Sequence, residues 1–312
     1  MEKLLIIDGN HLMHRSFHAY PPFTDSNNNQ IGAVYGFFAI LIKVIELIKP
    51  THLIICFDRP SPTFRKNMFA NYQIKRTKMD DDLVSQMQII HDALNQLNLP
   101  IFEIDGYEAD DLIGTLAFQT EKEKDLETII FSGDRDLLQL VNSKVKILAP
   151  ITGVTKFILF DSQTVKEKFG INPNQIIDYK ALVGDASDGY PGVAGVGPKT
   201  AVELLNRYET IEKIFENINL VPVKIAKKLA DSAETCVLCK KLATIVLDAP
   251  IHMDLEKADL TNITENKLLE VFDKYGFNSL KNRIFFLKKQ VNKTITAKPQ
   301  ILKKNENQMS LI

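Results

Sequence analysis

Tryptophan is absent from the 312 residues, cysteine occurs three times, and no apolar run is long. Cys56, Cys236 and Cys239 are too few for a disulfide framework. The apolar run Leu4–Ile7 is too short for the apolar segment of a secretory signal. The longest apolar run, Ile31–Ile42, covers twelve residues before Lys43 and Glu46 and cannot span a bilayer. An excess of one charge is also missing: 38 Lys and Arg face 39 Asp and Glu, for a net charge of −1. That total advertises no nucleic-acid binder, although opposite patches can cancel within it. With 45% hydrophobic and 25% charged residues, the composition excludes a fibrous or disordered chain. These features predict a soluble chain in a reducing, cytoplasmic compartment.

Three short apolar runs share one ending. Leu4–Ile7 leads into Asp8, Leu53–Phe57 into Asp58, and Thr128–Ser132 into Gly133 and Asp134. Such runs, without alternation, predict strands buried on both faces. Helical patterns over about 31–49, 80–98 and 108–120 separate them, so an α/β fold with a mostly parallel twisted sheet flanked by helices is expected. Ligands of such sheets bind beyond the carboxyl ends of the strands, where all three Asp residues fall. Val145–Leu148 and Lys156–Phe160 predict a hairpin at the sheet edge, and short helices take over from about residue 173.

Three further acidic groups accompany the strand-end acids: Glu108-Ala109-Asp110-Asp111, Asp134-Arg135-Asp136 and Asp185-Ala186-Ser187-Asp188. Any one of these acids is as well explained as a helix cap or turn residue. Together Asp8, Asp58, Glu108, Asp110, Asp111, Asp134, Asp136, Asp185 and Asp188 are not, because crowded like charges need a cation. Hard divalent ions with oxygen ligands, Mg²⁺ or Mn²⁺, suit such a set. Two such ions about 4 Å apart can activate a water and stabilise the leaving oxygen of a phosphodiester.

Between Thr63 and Met79 lie Arg65, Lys66, Lys75, Arg76 and Lys78 without an acid, a local charge of +5, interleaved with Phe64, Phe69 and Tyr72. Bases with aromatics suit a single nucleic-acid strand. The segment Pro191–Ala201 is no P-loop, because Pro198 separates Gly197 from Lys199. It predicts a turn whose backbone, at Gly192, Gly195 and Gly197 and at the helix start with Lys199 and Thr200, can hold a phosphate. His11, His14 and His18 lack further zinc ligands nearby, and Cys236-Val-Leu-Cys239 reads as helix core.

Taken in order, Ile7-Asp8-Gly9-Asn10, Cys56-Phe57-Asp58, Gly106-Tyr107-Glu108-Ala109-Asp110-Asp111, Ser132-Gly133-Asp134-Arg135-Asp136-Leu137, Gly184-Asp185-Ala186-Ser187-Asp188 and the 191–201 turn resemble the flap endonuclease family. The likeness is to the 5′–3′ exonuclease domain of bacterial DNA polymerase I in stand-alone form, and it covers about residues 1–290. The resemblance implies a PIN-like nuclease core over 1–172 with a helical arch at about 63–98. It implies a helix–three-turn–helix subdomain over 173–290, beyond which the polar, basic composition of 291–312 predicts a flexible tail. It also implies a monomeric, two-metal 5′–3′ exonuclease and flap endonuclease acting on DNA flaps, nicks and junctions in replication and repair. The nine carboxylates would hold the metals. Arg65, Tyr72, Lys75 and Arg76 would meet the strand, with Lys75 and Arg76 serving catalysis, and the turn with Gly192, Gly195, Gly197, Lys199 and Thr200 would grip duplex and hold a K⁺ ion.

The chain departs from the family pattern at Gln73, where an arch lysine is usual, and at Gly189-Tyr190, where Asn-Ile is usual. Lys75 lies about 200° further round a helix and is no automatic substitute for that lysine. From Thr264 to the end, the chain carries a charge of +6 and closes on Gln308-Met309-Ser310-Leu311-Ile312. Gln308, Ser310, Leu311 and Ile312 resemble the peptide by which bacterial replication enzymes bind the sliding clamp. A non-catalytic flap-binding protein and an RNA-cleaving PIN-type nuclease are the rival readings.

Overall fold

The computed structural model describes residues 2–74, 78–153 and 156–283. The chain opens with β1 (Glu2–Asp8), α1 (Gly9–Ala19), α2 (Gly32–Ile48) and β2 (His52–Cys56). Next come α3 (Phe64–Met68), α4 (Asp81–Gln96), β3 (Ile101–Phe102), α5 (Ala109–Thr120) and β4 (Leu126–Phe131). The hairpin β5 (Val145–Thr152) and β6 (Lys156–Phe160) precedes α6 (Ser162–Phe169) and α7 (Ile176–Val183). The rest is helical: α8 (Pro198–Tyr208), α9 (Ile211–Glu216), α10 (Val223–Asp231), α11 (Ala233–Ala243), α12 (Leu255–Ala258) and α13 (Glu265–Lys274).

Among the described residues the strands form one sheet in the order β3-β2-β1-β4-β5-β6, parallel except for the β5–β6 pair. The expected sheet and its edge hairpin are therefore present. The two-residue strand β3 has too little apolar run to be read from sequence. Register decides where the acids land. Asp8 pairs with Cys56, two residues before Asp58, and Ile7 pairs with Phe131, three residues before Asp134. In-register parallel pairing thus delivers three strand-end acids to one edge.

Alternation along β1 separates two apolar layers. Leu4 and Ile6 face a core shared with α5 and with helices of the C-terminal half, through Leu112, Leu116, Ala201, Leu205 and Leu229. Leu5 and Ile7 face the other core, with Phe37, Phe38, Leu94 and Phe272. Phe38 meets Phe272 edge-on at 5.6 Å, so α13 returns to cover α2. Cys236 and Cys239 are buried in α11, as expected of core positions.

The turn between α7 and α8 is fixed by two glycines. Gly184 and Gly192 adopt φ of +81° and +67°, and a Cβ on Gly192 would stand 2.3 Å from the Gly184 nitrogen and 2.5 Å from the Val183 carbonyl carbon. Gly192 is buried. Its close approach to Gly184 makes it a packing position of the turn. Gly192→Ala combines this clash with a disfavoured φ, and we expect a loss of about 2–4 kcal/mol of stability, measurable by urea denaturation. A loss below about 0.5 kcal/mol would mean the turn relaxes freely.

Candidate metal centre

The strand-end acids do local structural work before any other. Asp8 caps α1: its Oδ1 accepts from the His11 amide at 2.9 Å, and its Oδ2 accepts from the buried Ser132 hydroxyl at 2.6 Å. Asp58 accepts from the Ala109 amide at 2.7 Å, and the Asp58 amide donates to Asn10 Oδ1 at 2.9 Å. The first turn of α5 is thereby docked on the end of β2. Asp110 lies in that first turn, where the helix N-terminus favours negative charge. Ser132 Oγ also receives the Asp134 amide at 3.0 Å, and the Asp136 amide donates to Asp134 at 2.8 Å.

These residues open onto a cleft of about 810 Å³. Among the described residues, eight of the nine predicted carboxylates line it: Asp8, Asp58, Glu108, Asp110, Asp134, Asp136, Asp185 and Asp188. Burial, followed by the charges of Asp58 and Asp134, pushes Asp8 up to about 7, although the Ser132 and His11 hydrogen bonds resist. Burial likewise pushes Glu108 up to about 7 against the pull of Arg65, and raises Asp110 well above its ordinary value. Among the described residues no lysine or arginine pairs with Asp8 or Asp110. An all-oxygen donor set whose own charges push their protons on is the chemistry that hard divalent ions fit.

Asp136, Asp185 and Asp188 form a second group, each offering an oxygen within 4.8 Å of the others. The Asp185 carboxylate accepts from the Ser187 amide at 2.8 Å, and Lys180 donates to Asp136 and to Asp185 Oδ2. Burial raises Asp185, but the Lys180 and Ser187 hydrogen bonds outweigh it and hold the acid at about 2. Gln73, at φ +52°, donates its amide N–H to the Asp188 carbonyl at 2.8 Å and its Nε2 to Asp188 Oδ1 at 3.2 Å. Asp134 adds its field to Asp8, Asp110 and Asp188 alike, which couples the two groups.

Several predicted residues are committed to internal contacts. Asp111 is fully buried, and both of its oxygens accept from Arg65 at 2.7 Å. Asp111 also accepts from the Glu108 and Val246 amides at 3.1 and 2.9 Å. It is an anchor, not a cleft ligand. Arg65, only 2% exposed, also reaches Glu108 and the carbonyls of Leu242 and Thr244, so it is not a strand contact. Tyr72 is 3% exposed and donates its hydroxyl to Glu108 at 3.1 Å, which leaves no ring face for a base. In the turn, Gly195, Gly197 and Lys199 are exposed and Thr200 is half-buried. Lys75 and Arg76 lie outside the described residues, as do Gln308, Ser310, Leu311 and Ile312.

Sequence reasoning missed three supporting groups: Ser132, Asn10 and Lys180. Ser132 and Asn10 stand inside the quoted motifs, so their hydroxyl and amide were available as orienting groups for Asp8 and Asp58. Lys180 has a partner five residues on, Asp185, but its bridge to Asp136, 44 residues away, appears only in the fold.

Known proteins with the same features give the family context. A family model described as the N-terminal resolvase-like domain of 5′-3′ exonuclease matches residues 3–170, and one described as its C-terminal SAM fold matches 171–266. DNA polymerase I of Bacillus subtilis is 39% identical over 284 residues, which is 91% of this chain and 32% of that protein. DNA polymerase I of Caldicellulosiruptor bescii is also 39% identical, over 90% of this chain and 33% of that protein. The chain thus spans about a third of the length of these curated relatives. A bacteriophage T5 D15 flap endonuclease, solved as a pseudo-enzyme-product complex with DNA and metal ions, shares the fold at TM-score 0.65 and 19% identity, over 78% of this chain and 89% of that one. T5 D15 protein co-crystallised with metal ions gives TM-score 0.64 at 18% identity, over 90% of this chain and 99% of that one.

The raised acids make stability depend on pH in a defined direction. Without metal, folded Asp8 and Glu108 keep protons up to about pH 7, whereas their ordinary values are 3.8 and 4.5. Unfolding between those limits therefore releases protons, so stability falls as pH rises from about 4 to about 7 and levels off above that. In EDTA we expect the melting temperature to drop between pH 5.5 and 8, and saturating Mg²⁺ to remove most of the drop. A flat or rising profile in EDTA, followed by circular dichroism, would refute the electrostatic account.

Proposed function

Because the chain belongs to the 5′-3′ exonuclease family, we propose that it is a Mg²⁺- or Mn²⁺-dependent nuclease cutting DNA at 5′ ends, 5′ flaps, nicks and single-strand–duplex junctions. The carrying observation is the cleft where strand-end acids and the Asp136–Asp185–Asp188 group converge. Two divalent ions, when bound, supply Lewis-acid activation of water and offset charge on the leaving oxygen. The residues of the chain do the rest. Asp8, Asp58, Glu108 and Asp110 would hold one ion and Asp136, Asp185 and Asp188 the other, with Asp134 between them. Ser132 and the His11 amide fix the Asp8 oxygens, and Gln73 fixes Asp188.

The 5′ strand would meet Lys75 and Arg76, and Arg76 would stabilise the charge that develops on the phosphate. Duplex phosphates would lie on the exposed turn at Gly195, Gly197 and Lys199, at the start of α8, where we also place the K⁺ ion. Contacts of this kind predict steep salt dependence. Monomeric action in the cytoplasm, in primer removal and repair, and clamp binding through Gln308–Ile312 complete the reading. Among the described residues no helix is long and apolar enough to cross a membrane.

A labelled 5′-flap duplex tests this directly: product with Mg²⁺ or Mn²⁺ and none with EDTA. Asp134→Asn should cut cleavage by about 100-fold or more while flap binding persists, since loss of even a ligand's supporting partner costs about 10–100-fold. Persistent binding by wild type without any product in either metal would instead favour a flap-binding protein. Gln73→Lys should raise single-turnover cleavage several-fold by adding a cation beside the Asp188 group, and an unchanged rate would show that another group already serves there.

A further inference from the structure

Lys180 occupies a position that the metal reading assigns to an ion. It lies on α7 one turn before Gly184, whose amide donates to the Lys180 carbonyl at 2.7 Å, so its backbone is held by the helix end. Its ammonium donates to Asp136 and, at 2.6 Å, to Asp185 Oδ2. Those are two of the three acids whose oxygens gather within 4.8 Å. At that spacing two unit charges repel strongly unless a cation lies between them. Lys180 supplies that cation, and its side chain keeps 14% of its surface exposed toward the cleft that it lines.

A divalent ion in the same place needs the same oxygens, at about 2.0–2.1 Å for Mg²⁺. An ammonium and an ion cannot both hold them. We propose that Lys180 is a resident counter-cation of the Asp136–Asp185–Asp188 group, which keeps the acids together before the ion arrives and gives way to it. The inference rests on the metal-dependent reading above. Lys180 then sets the concentration at which the second position fills. A strand in the cleft offers the released ammonium phosphate oxygens instead, so strand and ion favour each other's binding.

Two measurements on the full-length chain test this. Free Mn²⁺ followed by electron paramagnetic resonance should show the weaker class of bound Mn²⁺ tightening about tenfold in Lys180→Met. Equal or weaker binding in the variant overturns the proposal. Should that variant fail to fold, the wild type suffices. Acetylation of Lys180 by an N-hydroxysuccinimide ester, read by mass spectrometry against the exposed Lys199, should rise at least threefold when Mn²⁺ is added. Unchanged labelling with Mn²⁺ bound overturns the proposal and leaves the nuclease reading standing. Absence of Mn²⁺ binding to either protein, together with absence of flap cleavage, overturns both.

Discussion

Carboxylates a few ångströms apart must be protonated or neutralised, and the fold around this cleft is organised by that requirement. At the 4.8 Å limit within which Asp136, Asp185 and Asp188 gather, two unit charges repel by about 3.5 kcal/mol at an effective dielectric near 20. A domain stable by about 5–15 kcal/mol cannot carry many such pairs unanswered. Three answers coexist here. Burial raises Asp8, Glu108 and Asp110 and so favours their uncharged forms. Asp136 and Asp185 take the Lys180 ammonium. Asp111 takes the Arg65 guanidinium in two parallel bonds.

The Arg65 answer has a structural consequence beyond charge. Its guanidinium ties α3 to α5 through Asp111 and Glu108, and to the C-terminal end of α11 through the carbonyls of Leu242 and Thr244. Asp111 adds the Val246 amide to the same knot. Burial disfavours the charge on Arg65, but the Asp111 bonds and the Glu108 charge more than offset that and hold it ionised. Removing one partner of such a buried pair costs about 3–5 kcal/mol, because the other charge is left unpaired. The base of the basic 63–79 segment is therefore bolted to α5 and to the C-terminal half at one point. This is why Glu108 faces the cleft with one side and a guanidinium with the other.

The sheet was legible because runs such as Leu4–Ile7 and Leu53–Phe57 carry their burial on both faces in their composition, and because each ends at an acid. Parallel register then placed Asp8, Asp58 and Asp134 together without further information. Asp111 was not legible. The spacing Glu108-x-x-Asp111 puts both acids on one helix face, but at a helix start the third residue folds back on the cap amide. Arg65 was misread for a related reason. A cation in a basic run looks like a solvated contact, and only the carbonyls of Leu242 and Thr244, 177 and 179 residues away, reveal it as interior.

Gln73 and Gly189 meet in space. Gln73 donates to the Asp188 carbonyl and carboxylate, and Gly189 follows directly with φ +80°. A Cβ on Gly189 would stand 2.9 Å from the Asn71 carbonyl oxygen, closer than side-chain carbons normally approach. A side chain at 189 would press the 71–73 turn away from Asp188 and so break the bond that Gln73 makes. Glycine at 189 and the uncharged amide at 73 therefore work as one local fit, in which Asp188 is oriented by a neutral donor. Tyr190, 2% exposed, seats the other end of the turn in the core. Gln73 and Gly189 thus act together on the placement of the Asp188 carboxylate.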